Sequence, residues 1–416
     1  MMSLKRGRSL SQKAAAHYAR LRRRTTLRNV TVVGVTGSTG KTTAKDLAAE
    51  ILARAGAVTK SRETGNTPSW VIETLLRTRS HDRFCVIEMS AAFPGALTES
   101  LALARPQIGI VTTIGVDHLK AFRTREATAA EKGRLIAALP ETGLAVLNAD
   151  DQHVLAMQTR ARCRVMTFGM AEGAIVQGRD VSSVWPERLS CTISYQGRSV
   201  RMQTQLCGEH WIPSVLAAVA VGVGTGASLD DAADAVAAVP PWNGRMNPVV
   251  TPDGVTFIRD DWKAPLATIP PALEFMRSAK ATRKVVVVGT ISDYTGDARA
   301  KYVSVARHAR EVADHVVFVG PWSSRALRAK KSADDDSICA MPTVKDAAAY
   351  LGEFLRPGDL VLLKGSNPAD HLGRIVLART GTVGCWRTKC GRQMFCEPCS
   401  LLRIPAGSDT VTSEDS

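Results

Sequence analysis

The chain has 416 residues, 45% of them hydrophobic and 22% charged, enough for ordinary cores and for two domains with appendages. It contains no apolar run of the roughly 18 residues that would cross a membrane, and its start lacks the apolar core of a secretory signal. Nine of its fifteen net positive charges fall within residues 1–28, which hold no Asp or Glu, so the excess belongs to an arm and argues against a nucleic-acid motor.

In chain order, residues 8–24 read as a basic helix with Leu10, Ala14, Tyr18 and Leu21 on one face. Short apolar strands are expected at 30–33, 84–89, 108–114 and 144–147, separated by helices at 44–55, 69–77, 97–104 and 127–139. Strands alternating with helices mean parallel βαβ units. Residues 163–202 alternate apolar and polar side chains and read as a small antiparallel excursion, followed by helices at 215–222 and 229–239. Pro240, Pro241 and Gly244 break the pattern and place a boundary near residue 246. A second α/β alternation follows, with strands at 255–259, 284–288, 315–319 and 360–363, ending near Arg379. The last dozen residues are polar and expected to be disordered.

The segment from Gly34 to Thr43 follows a strand and opens a helix, as a phosphate loop must. Its glycines let backbone N–H groups face phosphate oxygens, and the helix N-terminus adds positive field. Gly37, Ser38, Thr39, Gly40, Lys41, Thr42 and Thr43 are the candidate nucleotide-binding residues. Lys41 would reach the terminal phosphates of ATP and the Thr42 hydroxyl would bind Mg²⁺. Val35 stands where the general pattern has Gly, so this is a variant loop.

In that form the loop resembles the Mur ligases, the peptidoglycan amide-ligase family that includes folylpolyglutamate synthases. The resemblance covers about residues 30–378. It is carried further by Thr64-Gly65-Asn66-Thr67, Val86-Ile87-Glu88-Met89, the segment from Thr113 to Leu119 containing His118, Ala130-Glu131-Lys132-Gly133 and the segment from Leu147 to Asp151. Gly208-Glu209-His210, Gly244-Arg245, the segment from Asp260 to Ala264 and Leu363-Lys364-Gly365-Ser366 follow in order. The nearest pattern is that of the family's D-alanyl-D-alanine-adding members.

The resemblance implies a P-loop-type parallel-sheet ATP-binding domain over 30–245 and a Rossmann-like α/β domain over 246–380, after a basic arm at 1–29. It implies that ATP activates a carboxylate as an acyl phosphate, which an amino acid or peptide amine then attacks. It assigns Lys41, Glu88, His118 and Lys132 to catalysis, with Thr42, Glu88, His118 and a carbamylated Lys132 toward Mg²⁺. Arg245 and Lys263 are assigned to ATP phosphates and Asp261 to the nucleotide ribose. The expected substrates are a small-molecule or peptidoglycan-precursor carboxylate and an amino acid or dipeptide. The expected place is the cytoplasm, with the arm on an anionic membrane face or a protein partner, and no nucleic acid. A folylpolyglutamate-type synthase and a non-catalytic nucleotide-dependent binding subunit are the alternatives. The sequence departs from the family at Ser214, where an Asn is usual, and at Pro265. Only 29 residues precede the first predicted strand, whereas members acting on UDP-sugars carry a whole domain there, so the substrate need not be a UDP-muramoyl peptide.

Five cysteines (Cys85, Cys163, Cys191, Cys207 and Cys339) are scattered beside apolar residues and read as reduced core residues. Cys385, Cys390, Cys396 and Cys399 crowd into a module over 381–400, ahead of a disordered 401–416. Their spacing suits a structural Zn²⁺ site, with disulfides or loose thiols as the alternatives.

Overall fold

A computed structural model of the chain describes residues 10–115 and 121–405. The chain packs as two compact units, residues 1–182, 190–204 and 210–239 forming the first and residues 183–189, 205–209 and 240–416 the second. The division at 239/240 falls a few residues before the expected boundary. His118, the first nine residues of the arm and the end of the tail lie outside the described residues.

In unit one, β1 (Thr31–Thr36), β2 (Val58–Lys60), β3 (Phe84–Glu88), β4 (Ile108–Val111), β5 (Leu144–Asn148), β6 (Arg164–Gly169), β7 (Val176–Ser182), β8 (Ser190–Tyr195) and β9 (Arg198–Gln203) form one sheet. Its order is β2-β3-β1-β4-β5-β6-β7-β8-β9. The central strands are buried on both faces, which explains why they are mostly apolar and do not alternate with polar residues. Pairing is parallel from β2 to β7 and antiparallel only across β7, β8 and β9. The expected antiparallel excursion is therefore shorter, because β6 extends the parallel sheet against β5. The chain runs from β1 outward to β2, back to β3, then across to β4 on the other side of β1. That reversal opens a crevice at the carboxyl ends of β1, β3 and β4, where ligands of open α/β sheets bind.

The helices of unit one are α1 (Leu10–Arg24), α2 (Lys41–Ala53), α3 (Pro68–Arg77), α4 (Ala96–Ala104), α5 (Arg125–Lys132), α6 (Arg134–Ala137), α7 (Gln152–Leu155), α8 (Ile212–Gly224) and α9 (Leu229–Ala237). The first departs from expectation. Tyr18 and Leu21 are 56% and 51% exposed, and the buried face is Ala16, Ala19 and Arg23, lying against α3 and α4. Small alanines allow close approach, and two arginines meet the exposed carbonyl ends of the neighbouring helices. Arg22 donates to the carbonyls of Leu75, Leu76 and Thr78. Arg23 donates to those of Ala104, Arg105 and Leu27. What reads as an arm is thus, from residue 10 on, an integral layer of the unit.

In unit two, β10 (Asn247–Val250), β11 (Thr256–Asp260), β12 (Arg283–Val288), β13 (His315–Val319), β14 (Ile338–Met341) and β15 (Asp359–Lys364) form a sheet of order β10-β11-β15-β12-β13-β14. Only β10 runs antiparallel. Its helices are α10 (Ile269–Ser278), α11 (Ala298–Val312), α12 (Val344–Phe354), α13 (Asn367–Asp370) and α14 (Gly373–Thr380). Val255, Val285, Val317, Val361 and Leu363 centre the core on which α12 and α14 pack. Among the described residues no helix is long and apolar enough to cross a membrane.

Candidate active site

The phosphate loop joins β1 to α2 and is stitched to the segment after β4. Ser38 N–H donates to the Thr113 carbonyl at 2.8 Å, and Thr39 N–H to Thr113 Oγ1 at 3.2 Å. Thr112 Oγ1 donates to the Thr39 carbonyl at 2.6 Å, and Gly115 N–H to Ser38 Oγ at 2.7 Å. These bonds explain why β4 stops at Val111 and not at the expected residue 114: the next residues serve the loop. Gly37 (φ 146°) and Gly40 (φ 75°) adopt conformations that L side chains avoid. A Cβ on Gly37 would stand 1.9 Å from Thr112 Oγ1. Ser214, in place of the family's Asn, donates from Oγ to the Gly40 carbonyl at 3.1 Å, so it braces the loop.

Gly40 starts α2 with no side-chain cap and no acid in the first turn, leaving the helix N–H groups to face an anion. Lys41 Nζ folds over the loop, donating to the carbonyls of Gly37 and Ser38 at 2.8 and 3.1 Å. The hydroxyl of Thr42 donates to Glu88 Oε2 at 2.7 Å. Thr43 Oγ1 is buried with no hydrogen-bond partner among the described residues. Glu88 closes β3 at 1% exposure, and its Oε1 accepts from Asn66 Nδ2 at 2.9 Å.

Two residues that carry no site assignment in the sequence turn out to serve Glu88. Asn66 stands in the Thr-Gly-Asn-Thr segment, which is where its signal lay. Lys45 is wholly buried one turn into α2 and donates to the carbonyls of Ser61 and Glu63. Burial pulls its ammonium pKa down, with Asp46 opposing. Ser61 in turn accepts from the Glu88 N–H at 2.9 Å.

Lys132 ends α5 and is 1% exposed. Its neighbour Glu131 fixes the helix, accepting from the N–H groups of Gly95 and Leu97 at 2.9 and 3.0 Å at the start of α4. Asn148 and Asp151 hold the segment that leads toward His118: Asn148 Nδ2 donates to the Thr112 carbonyl at 2.8 Å, and Asp151 Oδ2 accepts from Ile114 N–H at 2.6 Å. His210 is half-buried with its ring 4.7 Å from that of Trp211.

The remaining expected nucleotide residues lie in unit two. Gly244 (φ 67°) precedes half-buried Arg245, and the Gly244 carbonyl accepts from Trp262 N–H at 3.2 Å. Lys263 is exposed, and its carbonyl accepts from buried Lys364 Nζ, which also binds Asp260 at 2.6 Å. Asp261 is the residue expected on a ribose. It is 0% exposed, with Oδ1 and Oδ2 bound to Arg259 at 3.2 and 3.0 Å. A carboxylate so buried and so paired supports the strand end from beneath. Cys85, Cys191 and Cys207 are buried, Cys163 and Cys339 half-buried, and all nine cysteines are free thiols. Among the described residues no group of three or more His, Cys, Asp or Glu has geometry that could hold a metal ion, the four tail cysteines included.

Residues 35–222 match the family model of the Mur ligase middle domain, and residues 244–367 that of the Mur ligase glutamate ligase domain. The UDP-N-acetylmuramoyl-tripeptide–D-alanyl-D-alanine ligase of Mycobacterium tuberculosis is 32% identical over 382 residues, covering 86% of this chain and 74% of that protein. Among solved structures, MurF of Acinetobacter baumannii superposes with a TM-score of 0.81 at 23% identity, over 89% of this chain and 80% of that one. MurF of Thermotoga maritima, in complex with ADP, gives 0.77 at 22% over 91% and 86%. At those identities the superpositions speak for the fold.

Proposed function

This chain belongs to the Mur ligase family, and from that premise we propose that it joins a peptidoglycan-precursor carboxylate to the amine of a dipeptide of the D-alanyl-D-alanine kind. The chain is an ATP-dependent carboxylate–amine ligase. The substrate class follows the activity for which its relatives are named, and the site chemistry rests on this chain's own residues. The observation that carries it is the phosphate loop bound through Thr42 to Glu88.

In this reading the α2 N-terminus and Lys41 hold the ATP phosphates, which repel one another and the incoming carboxylate. Lys41 exchanges its two loop carbonyls for phosphate oxygens, and the Thr43 hydroxyl finds an acceptor there. The substrate carboxylate attacks the terminal phosphorus and ADP departs. The amine then attacks the acyl carbon, phosphate leaves and the amine gives up a proton. Thr42 and Glu88 present hard oxygen donors side by side, which fit Mg²⁺. A bound Mg²⁺ neutralises charge on the transferring phosphoryl group. By the family resemblance, a carbamylated Lys132 would add a further oxygen donor, and His118 is the remaining ligand that the resemblance assigns. With Arg22 and Arg23 spent on carbonyls, exposed Arg24 and Arg28 are left to meet anionic partners.

The test is ATP-dependent phosphate release with UDP-N-acetylmuramoyl-tripeptide and D-alanyl-D-alanine, each omitted in turn. Release that needs both, with an amide product, is expected. Lys41→Ala should lose about 100-fold or more of it with an unchanged circular-dichroism spectrum. Release triggered instead by a folate and glutamate would move the chain to the folylpolyglutamate branch.

A further inference from the structure

The segment after α14 carries no helix or strand among its described residues 381–405. It is nevertheless held to unit two at several points. Trp386 packs on the sheet core, and Phe395 lies 4.7 Å from the ring of Trp262. Asn367 Nδ2 donates to the Met394 carbonyl at 2.8 Å, and Glu397 pairs with buried Arg259. Arg374 Nη1 donates to the carbonyls of Cys385 and Arg387. None of these contacts uses the four thiols.

Cys385, Cys390, Cys396, Cys399 and His371 are among the residues lining one cavity of about 10 Å³, the room of a single water-sized sphere. His371 is 3% exposed and held there by a left-handed backbone (φ 52°), a conformation uncommon outside glycine. Its Nδ1 is 3.5 Å from Cys396 Sγ, and its Nε2 is buried with no hydrogen-bond partner among the described residues. As the side chains stand, the thiols do not gather at ligand spacing. Two of them face guanidinium groups instead, Cys385 Sγ at 3.0 Å from Arg387 Nη1 and Cys399 Sγ at 3.7 Å from Arg392 Nη1. Each thiol turns about a single side-chain torsion.

We propose that Cys385, Cys390, Cys396 and Cys399 bind one Zn²⁺ in this cavity as a tetrahedral tetrathiolate, with His371 hydrogen-bonded to the Cys396 sulfur. Binding releases the thiol protons and leaves a dianionic centre, which Arg374, Arg387 and Arg392 offset. The ion supplies folding energy that a segment without a core of its own lacks, and it keeps Phe395 and Glu397 seated on Trp262 and Arg259. Hydrogen bonds to a ligand atom, such as that of His371 to the Cys396 sulfur, tune metal affinity by about 10- to 100-fold.

The experiment uses the full chain without a histidine tag, loaded with ZnCl₂, desalted and analysed for metal. About one Zn²⁺ per chain is expected. It should vanish in Cys396→Ser/Cys399→Ser, whose sheets keep their circular-dichroism signal. His371→Gln should bind Zn²⁺ about 10- to 100-fold more weakly. Trypsin should cut at Lys389 and Arg392 slowly in the loaded chain and quickly after chelation. Zinc absent from the loaded wild type, or retained equally by the double serine variant, overturns the site. So does a count showing two tail disulfides in the freshly purified chain. Unchanged affinity in His371→Gln removes the histidine from it.

Discussion

The Thr42 hydroxyl and the Glu88 carboxylate meet at 2.7 Å, tying the first turn of α2 to the end of β3. Glu88→Gln keeps the shape and lets Asn66 still donate to Oε1, but it removes the charge a divalent ion needs. The fold should survive with a melting temperature near that of the wild type. The Mg²⁺ concentration for half-maximal ATP turnover should rise about 10- to 100-fold. An unchanged Mg²⁺ requirement would leave Glu88 as a hydrogen-bond acceptor for Thr42 and no more.

Lys132 is buried at the end of α5, so it is not a solvated helix lysine. Lys132→Ala removes a long side chain from a packed place and, in the proposed reading, a carbamate. Phosphate release should fall about 100-fold or more, with partial recovery by millimolar acetate or propionate. A variant that is inactive, well folded and indifferent to added carboxylates would speak against the carbamate.

Gly37→Ala isolates the loop's backbone. The added Cβ meets Thr112 Oγ1 at 1.9 Å, and φ at 146° is unfavourable for alanine. The two effects together should cost about 1–3 kcal/mol of stability. They should also abolish the thermal shift given by ADP. Thr112→Ala in the same chain removes the clash but not the backbone strain, so it should restore only part of the stability. Full recovery would mean that φ matters little here.

The parallel strands and the phosphate loop were legible because each rests on local chemistry. Val30–Val33 is rich in β-branched residues and Phe84–Ile87 is an apolar run, and Gly-Lys-Thr after a strand marks a helix start. What stayed hidden depends on contacts between distant segments. Nothing near Lys45 in the chain says that its ammonium supports residues 61–63, or that Ser214 braces Gly40. The α1 face misled for the same reason: periodicity favours Tyr18 and Leu21, while Arg22 and Arg23 are drawn inward by carbonyl ends in α3 and α4. Asp261 reads as a ligand for a hydroxyl, and nothing in the sequence shows that its carboxylate is buried and paired with Arg259 two residues earlier.

The arginines of α1 divide into two kinds, and substitution should separate them. Arg23 is 5% exposed and donates to three carbonyls and to Gln107 Oε1 at 3.0 Å. Arg23→Ala would take the guanidinium donor from the Ala104 and Arg105 carbonyls, while Leu27 and Gln107 keep the Val30 and Val32 N–H groups, at a cost of about 1–3 kcal/mol read as a fall in the melting temperature. Arg24 and Arg28 are exposed and line an open cleft with Arg105. Replacing both by alanine should change stability by about 0.5 kcal/mol or less. The same pair should weaken binding to anionic vesicles at low salt, an effect that disappears as ionic strength rises. Removing residues 1–28 outright would confuse the two, because it also uncovers Val30 and the carbonyl ends that Arg22 and Arg23 cap. If Arg24→Ala/Arg28→Ala binds anionic vesicles as the wild type does, the exposed charges of α1 are a solvated face and any anionic partner must be met elsewhere.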